Sequence, residues 1–272
     1  MRVKKQFTRM MLKAYVEYIY ISLILKEVWI LNKLSVLKIS FASSGVENVI
    51  YPVIIQDDNE RVLIDCGYPG FLLRLQEVAA NSGINLSQLT KVIITHHDFD
   101  HMGALAEFKK SYPHIMVLAS EEEEGYVSGR KKSLRLQQAE AIYDSLPESQ
   151  KQMAKQFTNM LEAVENVEVD QTVKDGDILS VCGGIKIIAT PGHMPGHISI
   201  YHIPSKTLIA GDALVVENGS LAIANPQYTL DMAGAKGSIK KLLDYEIETI
   251  VCYHGGIVIT GIREALQKIS EE

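Results

Sequence analysis

Immediately after the apolar run KVIIT, the chain reads Thr95-His96-His97-Asp98-Phe99-Asp100-His101-Met102-Gly103 and then the helix-forming ALAEFKK. Four strong donors, His96, Asp98, Asp100 and His101, thus stand within six residues. Neutral imidazole and ionised carboxylate are the ligands of catalytic divalent ions, and an HxDxDH pattern arises by chance on the order of once in a few thousand such chains. A strand entering a tight turn and a helix start directs residues 96 and 98 to one side and residues 100 and 101 to an adjacent direction. That arrangement suits two neighbouring ions better than one. Two ions need further donors, and three later segments carry them: Thr190-Pro-Gly-His193-Met-Pro-Gly-His197, Gly211-Asp212, and His254-Gly-Gly.

Each donor segment follows a strand-like run: IKIIA before the first, TLIA before the second, TIVCY before the third. The ends of strands meet along one edge of a sheet, where loops build sites. KLSVLKISF, NVIYPVII and RVLID read as further strands opening a meander from residue 34, and FLLRLQEVAANSG reads as a helix with a glycine stop. IMVLA, ILSV and HISIYHI are also strands, TLDMAGAKGSIKKLLDYE and GIREALQKIS helices, and Gly183-Gly184 a hairpin turn. Residues 121–165 are almost wholly helix-forming. They fit an inserted lid or an amphipathic layer over a sheet, and only a position beside the site would mark the lid. Residues 1–33 form an N-terminal extension readable as a helix. Its apolar run of about a dozen residues is too short to span a bilayer, which leaves a surface-lying membrane helix as the alternative. One domain, residues 34–272, is expected behind it.

The chain has 272 residues, 47% of them hydrophobic and 22% charged, with a formal net charge of −6. That composition buries a sizeable core and lacks the basic tracks that RNA or DNA substrates require. Cys66, Cys182 and Cys252 are isolated and form no CxxC, so neither a disulfide framework nor a thiolate metal site is expected. With no cleavage-site pattern after the apolar run, a cytoplasmic location is expected.

The blocks THHDFDHMG, TPGHMPGHISIY, AGD and CYHGG, in this order over about residues 34 to 265, resemble the metallo-β-lactamase superfamily, in a branch with Asp98 replacing the second histidine of HxHxDH. The resemblance implies an α/β fold, a four-layer αββα sandwich of two mixed sheets packed face to face with helices outside. It assigns His96, Asp98 and His193 to a first metal, Asp100, His101 and His254 to a second, and Asp212 to a bridge between them. The implied cofactors are two divalent ions, zinc first, with manganese or iron as alternatives. Asp65, ending RVLID, matches a position whose carboxylate supports a ligand histidine, although an Asx-turn would explain it equally well. His197 is read as a hydrogen-bonding or substrate-facing residue outside the ligand set, His97 as a surface or supporting histidine, and His114 and His202 as structural.

The implied activity is hydrolysis by a metal-bridging hydroxide of an ester-type bond in a small molecule: lactone, thioester or carboxylic ester. Asp100 is the catalytic candidate, orienting the nucleophile and relaying a proton to the leaving group. Val215 stands where some lactone-opening relatives carry tyrosine, which disfavours a lactone. Two divalent ions against three carboxylates leave a net charge of plus one, one unit below the two-carboxylate site, so the centre should be less electrophilic. The alternatives are a di-iron oxidoreductase of the same fold and a metal-bearing sensor without turnover. Oligomeric state is not legible.

Overall fold

The computed structural model describes residues 28–31, 33–43 and 45–271. Most of the N-terminal extension, including its expected helix, lies outside them. Its last residues, Val28–Leu31, form β1, which pairs antiparallel with β2 (Leu34–Leu37), so the first sheet begins ahead of the expected boundary at residue 34.

The next strands are β3 (Ile39–Ser43), β4 (Val46–Ile50), β5 (Val53–Gln56), β6 (Arg61–Ile64), β7 (Lys91–Ile93), β8 (Met116–Ser120) and β9 (Gln171–Val173). β1-β2-β5-β6-β7-β8-β9 is the order of the first sheet, antiparallel as far as β6 and parallel from β6 to β9. KLSVLKISF and NVIYPVII, each expected as one strand, are each two. The chain leaves the sheet at Lys38, pairs β3 with β4 as a separate ribbon, and returns after Tyr51-Pro52. Proline has no N–H for a ladder, which accounts for the break at residue 52.

β10 (Ile178–Leu179), β11 (Ile185–Ala189), β12 (Ile198–His202), β13 (Thr207–Ile209), β16 (Thr249–Cys252) and β17 (Gly256–Val258) make the second sheet in that order; β14 (Val215–Glu217) and β15 (Ser220–Ala222) form a small ribbon. Only β13 and β16 are parallel, so both large sheets are mixed, as expected.

The alternation of side chains along the strands dictates four layers. Val53, Ile55, Val62 and Ile64 point from the first sheet onto Ile185, Ile187, Ile198 and Ile200 of the second. The intervening Ile54 and Leu63 point outward and pack with helices α1 (Leu72–Ala80) and α3 (Leu105–Ser111), through Leu75 and Phe108. On the far side, Ile188, Leu208 and Ile250 meet Ile239 and Leu242 of α7 (Met232–Leu242) and Leu266 of α8 (Ile262–Glu271). The αββα sandwich follows directly. Between α3 and α7 the insertion supplies α4 (Glu121–Val127), α5 (Leu134–Tyr143) and α6 (Glu148–Glu162), and the short α2 (Phe99–Met102) carries the HxDxDH turn. No helix among the described residues is long and apolar enough to cross a membrane.

Candidate metal centre

The predicted donors lie where parallel strands end. His96 to His101 follow β7, Asp65 follows β6, Asp212 follows β13, and His254 follows β16. His193 and His197 sit in the loop joining β11 to β12. That loop needs Gly192, whose φ of +142° and 2.4 Å approach of its missing Cβ to the Ala235 nitrogen leave no room for a side chain.

All seven expected ligands converge. The ligand atoms of His96, Asp98 and His193 lie within 4.8 Å of one another, as do those of Asp100, His101 and His254, and those of His96, His101 and Asp212. Asp212 therefore touches both groups: its Oδ1 is 3.3 Å from His101 Nε2 and 3.6 Å from His254 Nε2, and its Oδ2 is 3.5 Å from His193 Nε2. His193 Nε2 is 3.0 Å from Asp98 Oδ2, and His254 Nε2 is 3.1 Å from Asp100 Oδ2.

Supporting hydrogen bonds fix which ring nitrogen faces inward. Asp65, at a left-handed φ of 57°, accepts the Thr95 N–H at 2.9 Å on one oxygen. On its other oxygen it accepts the Thr95 hydroxyl and His101 Nδ1–H, each at 2.8 Å. These long-range partners, thirty residues and more away, give Asp65 the histidine-supporting position rather than a local Asx-turn. His101 is left with Nε2 facing the cluster, and His96, whose Nδ1 lies 3.0 Å from Thr95 Oγ1, also presents Nε2. His197 Nε2 accepts the Asp212 N–H at 3.0 Å while Nδ1–H reaches Thr190 Oγ1 at 2.8 Å, so it orients the loop of Asp212 and not an ion.

The test of fit is polar satisfaction. His96 Nε2, His101 Nε2 and Asp212 Oδ1 are buried and have no hydrogen-bond partner, although a buried unpaired polar atom costs about 1–3 kcal/mol. Three such atoms pointing at one another are a costly arrangement that a divalent cation resolves. The carboxylates agree. Burial opposes ionisation of Asp98, yet the His193 ring bonded to it, the His96 ring nearby and the Arg135 charge hold its carboxyl well below the usual range. Asp212, likewise buried, is held down by His254 and His101. Burial, with His101 and His193 beside it, keeps His96 neutral, and burial pushes His197 down to about 3. His101 and His254 shift the other way: burial lowers them, but the Asp212 and Asp100 carboxylates outweigh it and raise both, so the carboxylates stand ready as ligands while these two imidazoles would give up a proton to an ion.

Asp98, Asp100, His193, Asp212 and His254 line a cleft of about 450 Å³ together with Tyr68, Phe99, Phe157, Tyr228 and Val215. Phe157 belongs to α6 and Arg135, another lining residue, to α5, so the insertion sits beside the site and forms one of its walls. Sequence reasoning missed three residues here. Glu123, within a run of four glutamates that reads as a solvated helix start, is fully buried and accepts the backbone N–H groups of His97 (2.9 Å) and Gly196 (3.1 Å). It also takes the His97 Nδ1–H, and His97 Nε2 accepts the Leu134 N–H at 3.2 Å, so His97 is a buried tie between loop and insertion and not a surface residue. Arg135 and Phe157 gave no signal because helix periodicity alone places them on no particular neighbour. His114 and His202 are structural, bonded to the Leu89 and Cys182 carbonyls.

Residues 47–254 match the model of the metallo-beta-lactamase superfamily. Among curated relatives, the probable metallo-hydrolase YflN of Bacillus subtilis is 28% identical over 234 residues, covering 79% of this chain and 83% of that protein. Hydroxyacylglutathione hydrolase of Yersinia pestis is 26% identical over 163 residues, 59% of this chain and 45% of its own length. Among solved structures, a metallo-beta-lactamase family protein of Thermus thermophilus, TTHA1429, superposes with a TM-score of 0.68 at 21% identity, covering 89% of this chain and 79% of that one. With the four layers and the convergent donors already in place, the match over most of the length establishes that the chain belongs to the metallo-beta-lactamase superfamily.

Proposed function

We propose that the protein is a dinuclear metal-dependent hydrolase that cleaves an ester-type bond of a small molecule, with zinc as the resident ion. The observation that carries this reading is the pair of three-residue donor groups sharing Asp212 beneath an open cleft. Relatives named as probable metallo-hydrolases, and one named hydroxyacylglutathione hydrolase, support the reaction class. His96, Asp98 and His193 would hold one ion, Asp100, His101 and His254 the other, and Asp212 both. When bound, such ions supply Lewis acidity toward a carbonyl oxygen and bring the pKa of water toward neutrality.

The chain's own residues do the rest. Asp65 fixes the His101 ring and His197 fixes the Asp212 backbone, so neither donor needs reordering on binding. The Tyr253 hydroxyl donates to the Asp100 carbonyl at 2.6 Å and anchors the turn from which the Asp100 carboxylate faces the cleft. That carboxylate would orient the nucleophile and pass a proton to the leaving group. The aromatic walls receive the apolar part of a substrate and exclude water from it. Thioesters and carboxylic esters are favoured over lactones, because Val215 rather than tyrosine lines the cleft at position 215.

A zinc-replete screen over esters, thioesters and lactones tests the proposal, with Asp212→Ala as the blank. Outer partners of ligands are worth about 10–100-fold, so loss of a donor common to both groups should cost at least about a hundredfold in kcat/KM. Turnover retained in Asp212→Ala, or a coloured iron protein that reduces oxygen and hydrolyses nothing, contradicts it.

A further inference from the structure

The two donor groups match in ligand number but differ by one fixed charge. Arg135, only 5% exposed, donates from Nη2 to Asp98 Oδ2 at 2.7 Å and from Nε to Asp98 Oδ1 at 3.3 Å. It is held there by three further contacts: Nη1 donates to Gln138 Oε1 at 2.9 Å, Nη2 to the Tyr228 carbonyl at 2.9 Å, and the guanidinium lies 5.6 Å from the Tyr228 ring centre. Nη2 is also 3.4 Å from His193 Nε2. The guanidinium thus lies on the two inward atoms, Asp98 Oδ2 and His193 Nε2, that an ion in the first group must share. Around Asp100 and Asp212, among the described residues, the ion-pair partners are histidines alone.

Resting on the dinuclear reading above, we infer that Arg135 makes the metal centre unequal: the Asp100, His101 and His254 group fills first and tightly, and the His96, Asp98 and His193 group fills only at higher metal concentration. Two effects of Arg135 oppose each other. Orienting a ligand carboxylate strengthens metal binding, typically by about 10–100-fold. A unit charge facing a divalent ion across a single shared oxygen, at an effective dielectric constant of about 20, opposes binding by several orders of magnitude. Repulsion wins. Because Arg135 sits on the insertion, the occupancy of the weaker position is coupled to how α5 is seated over the loop. Arg135 is a positioning residue that acts through Asp98.

Metal-free protein titrated with zinc against a chromophoric chelator tests this without reference to turnover. Wild type should show two dissociation constants separated by about a hundredfold or more. At one equivalent of zinc, anomalous X-ray density should lie among Asp100, His101 and His254. Arg135→Gln should bring the two constants within about tenfold of each other by tightening the weaker, whereas Arg135→Lys, which keeps the charge, should preserve most of the gap. Two equal constants in wild type overturn the inference whether or not the variants fold. So does first filling at His96, Asp98 and His193, or a weaker constant that Arg135→Gln leaves unchanged or worsens. A purely structural Arg135 would move both constants or neither, and Lys would not rescue it. Wild type that binds no zinc, or never more than one ion at saturation, sinks the dinuclear proposal itself, a different outcome from two ions of equal affinity.

Discussion

Asp98 departs from the commoner HxHxDH pattern, and its consequence changes once its neighbour is known. On the dinuclear proposal, two divalent ions against three carboxylates would count to a net charge of plus one. Arg135, bonded to both Asp98 oxygens, would restore plus two and so offset the loss of electrophilicity expected from the sequence, from thirty-seven positions away. His202 shows the same dependence on burial for a histidine with no ligand role. Its Nε2–H donates to the Cys182 carbonyl at 2.9 Å, its Nδ1 lies 2.6 Å from Ser205 Oγ, and burial lowers its pKa from 6.5. The unfolded chain takes up a proton on this ring near pH 6.5, while the folded chain does so only at lower pH. The unfolded state therefore binds more protons below pH 6.5, and stability should fall there as pH drops. In metal-free protein, the decline in Tm from pH 6.5 to 5 should be shallower for His202→Gln than for wild type. Equal slopes would mean that the ring contributes nothing to acid sensitivity.

At the scale of elements, strand ends and the turns after them place the donors. Gly211, at φ +55°, lets β13 turn into Asp212, and a Cβ there would come within 2.6 Å of His197 Nε2, the atom that accepts the Asp212 N–H. Gly211→Ala should cost about 1–3 kcal/mol through left-handed strain and that clash. It should also weaken zinc binding, read by chelator competition. Unchanged affinity would show that His197 does not hold Asp212. The inserted helices act as a wall. Phe157 of α6 meets Phe99 edge to face, with ring centres 5.8 Å apart, on the cleft lining. Its ring offers no ligand atom, so Phe157→Ala should raise KM for substrates with bulky apolar groups several-fold and leave kcat within about twofold, as expected for loss of uniform binding. A large fall in kcat would place this helix in the chemistry instead.

For the whole molecule, the donors were legible because ligand chemistry restricts residue types and because each block follows a β-branched run. His96, Asp98, Asp100, His101, His193, Asp212 and His254 stand out as donors by local pattern, whereas their assignment to two ions and the four-layer sandwich came from the resemblance to a known family. What was not legible depends on distant approach. Arg135 and Glu123 look like ordinary helix surface until α4 and α5 dock on the loops of His97 and Gly196. Val28–Leu31 looks like the tail of an apolar extension until it pairs with Leu34–Leu37. Pro52 cuts an apparently continuous strand, and the chain's exit from the sheet at Lys38 has no signal we can identify. The central claim is that seven side chains from four separate segments hold a pair of ions around Asp212. Anomalous diffraction from crystals saturated with zinc tests it most directly. The account predicts two peaks, one among His96, Asp98 and His193 and one among Asp100, His101 and His254, with Asp212 between them. A single peak, or peaks on other residues, would contradict it.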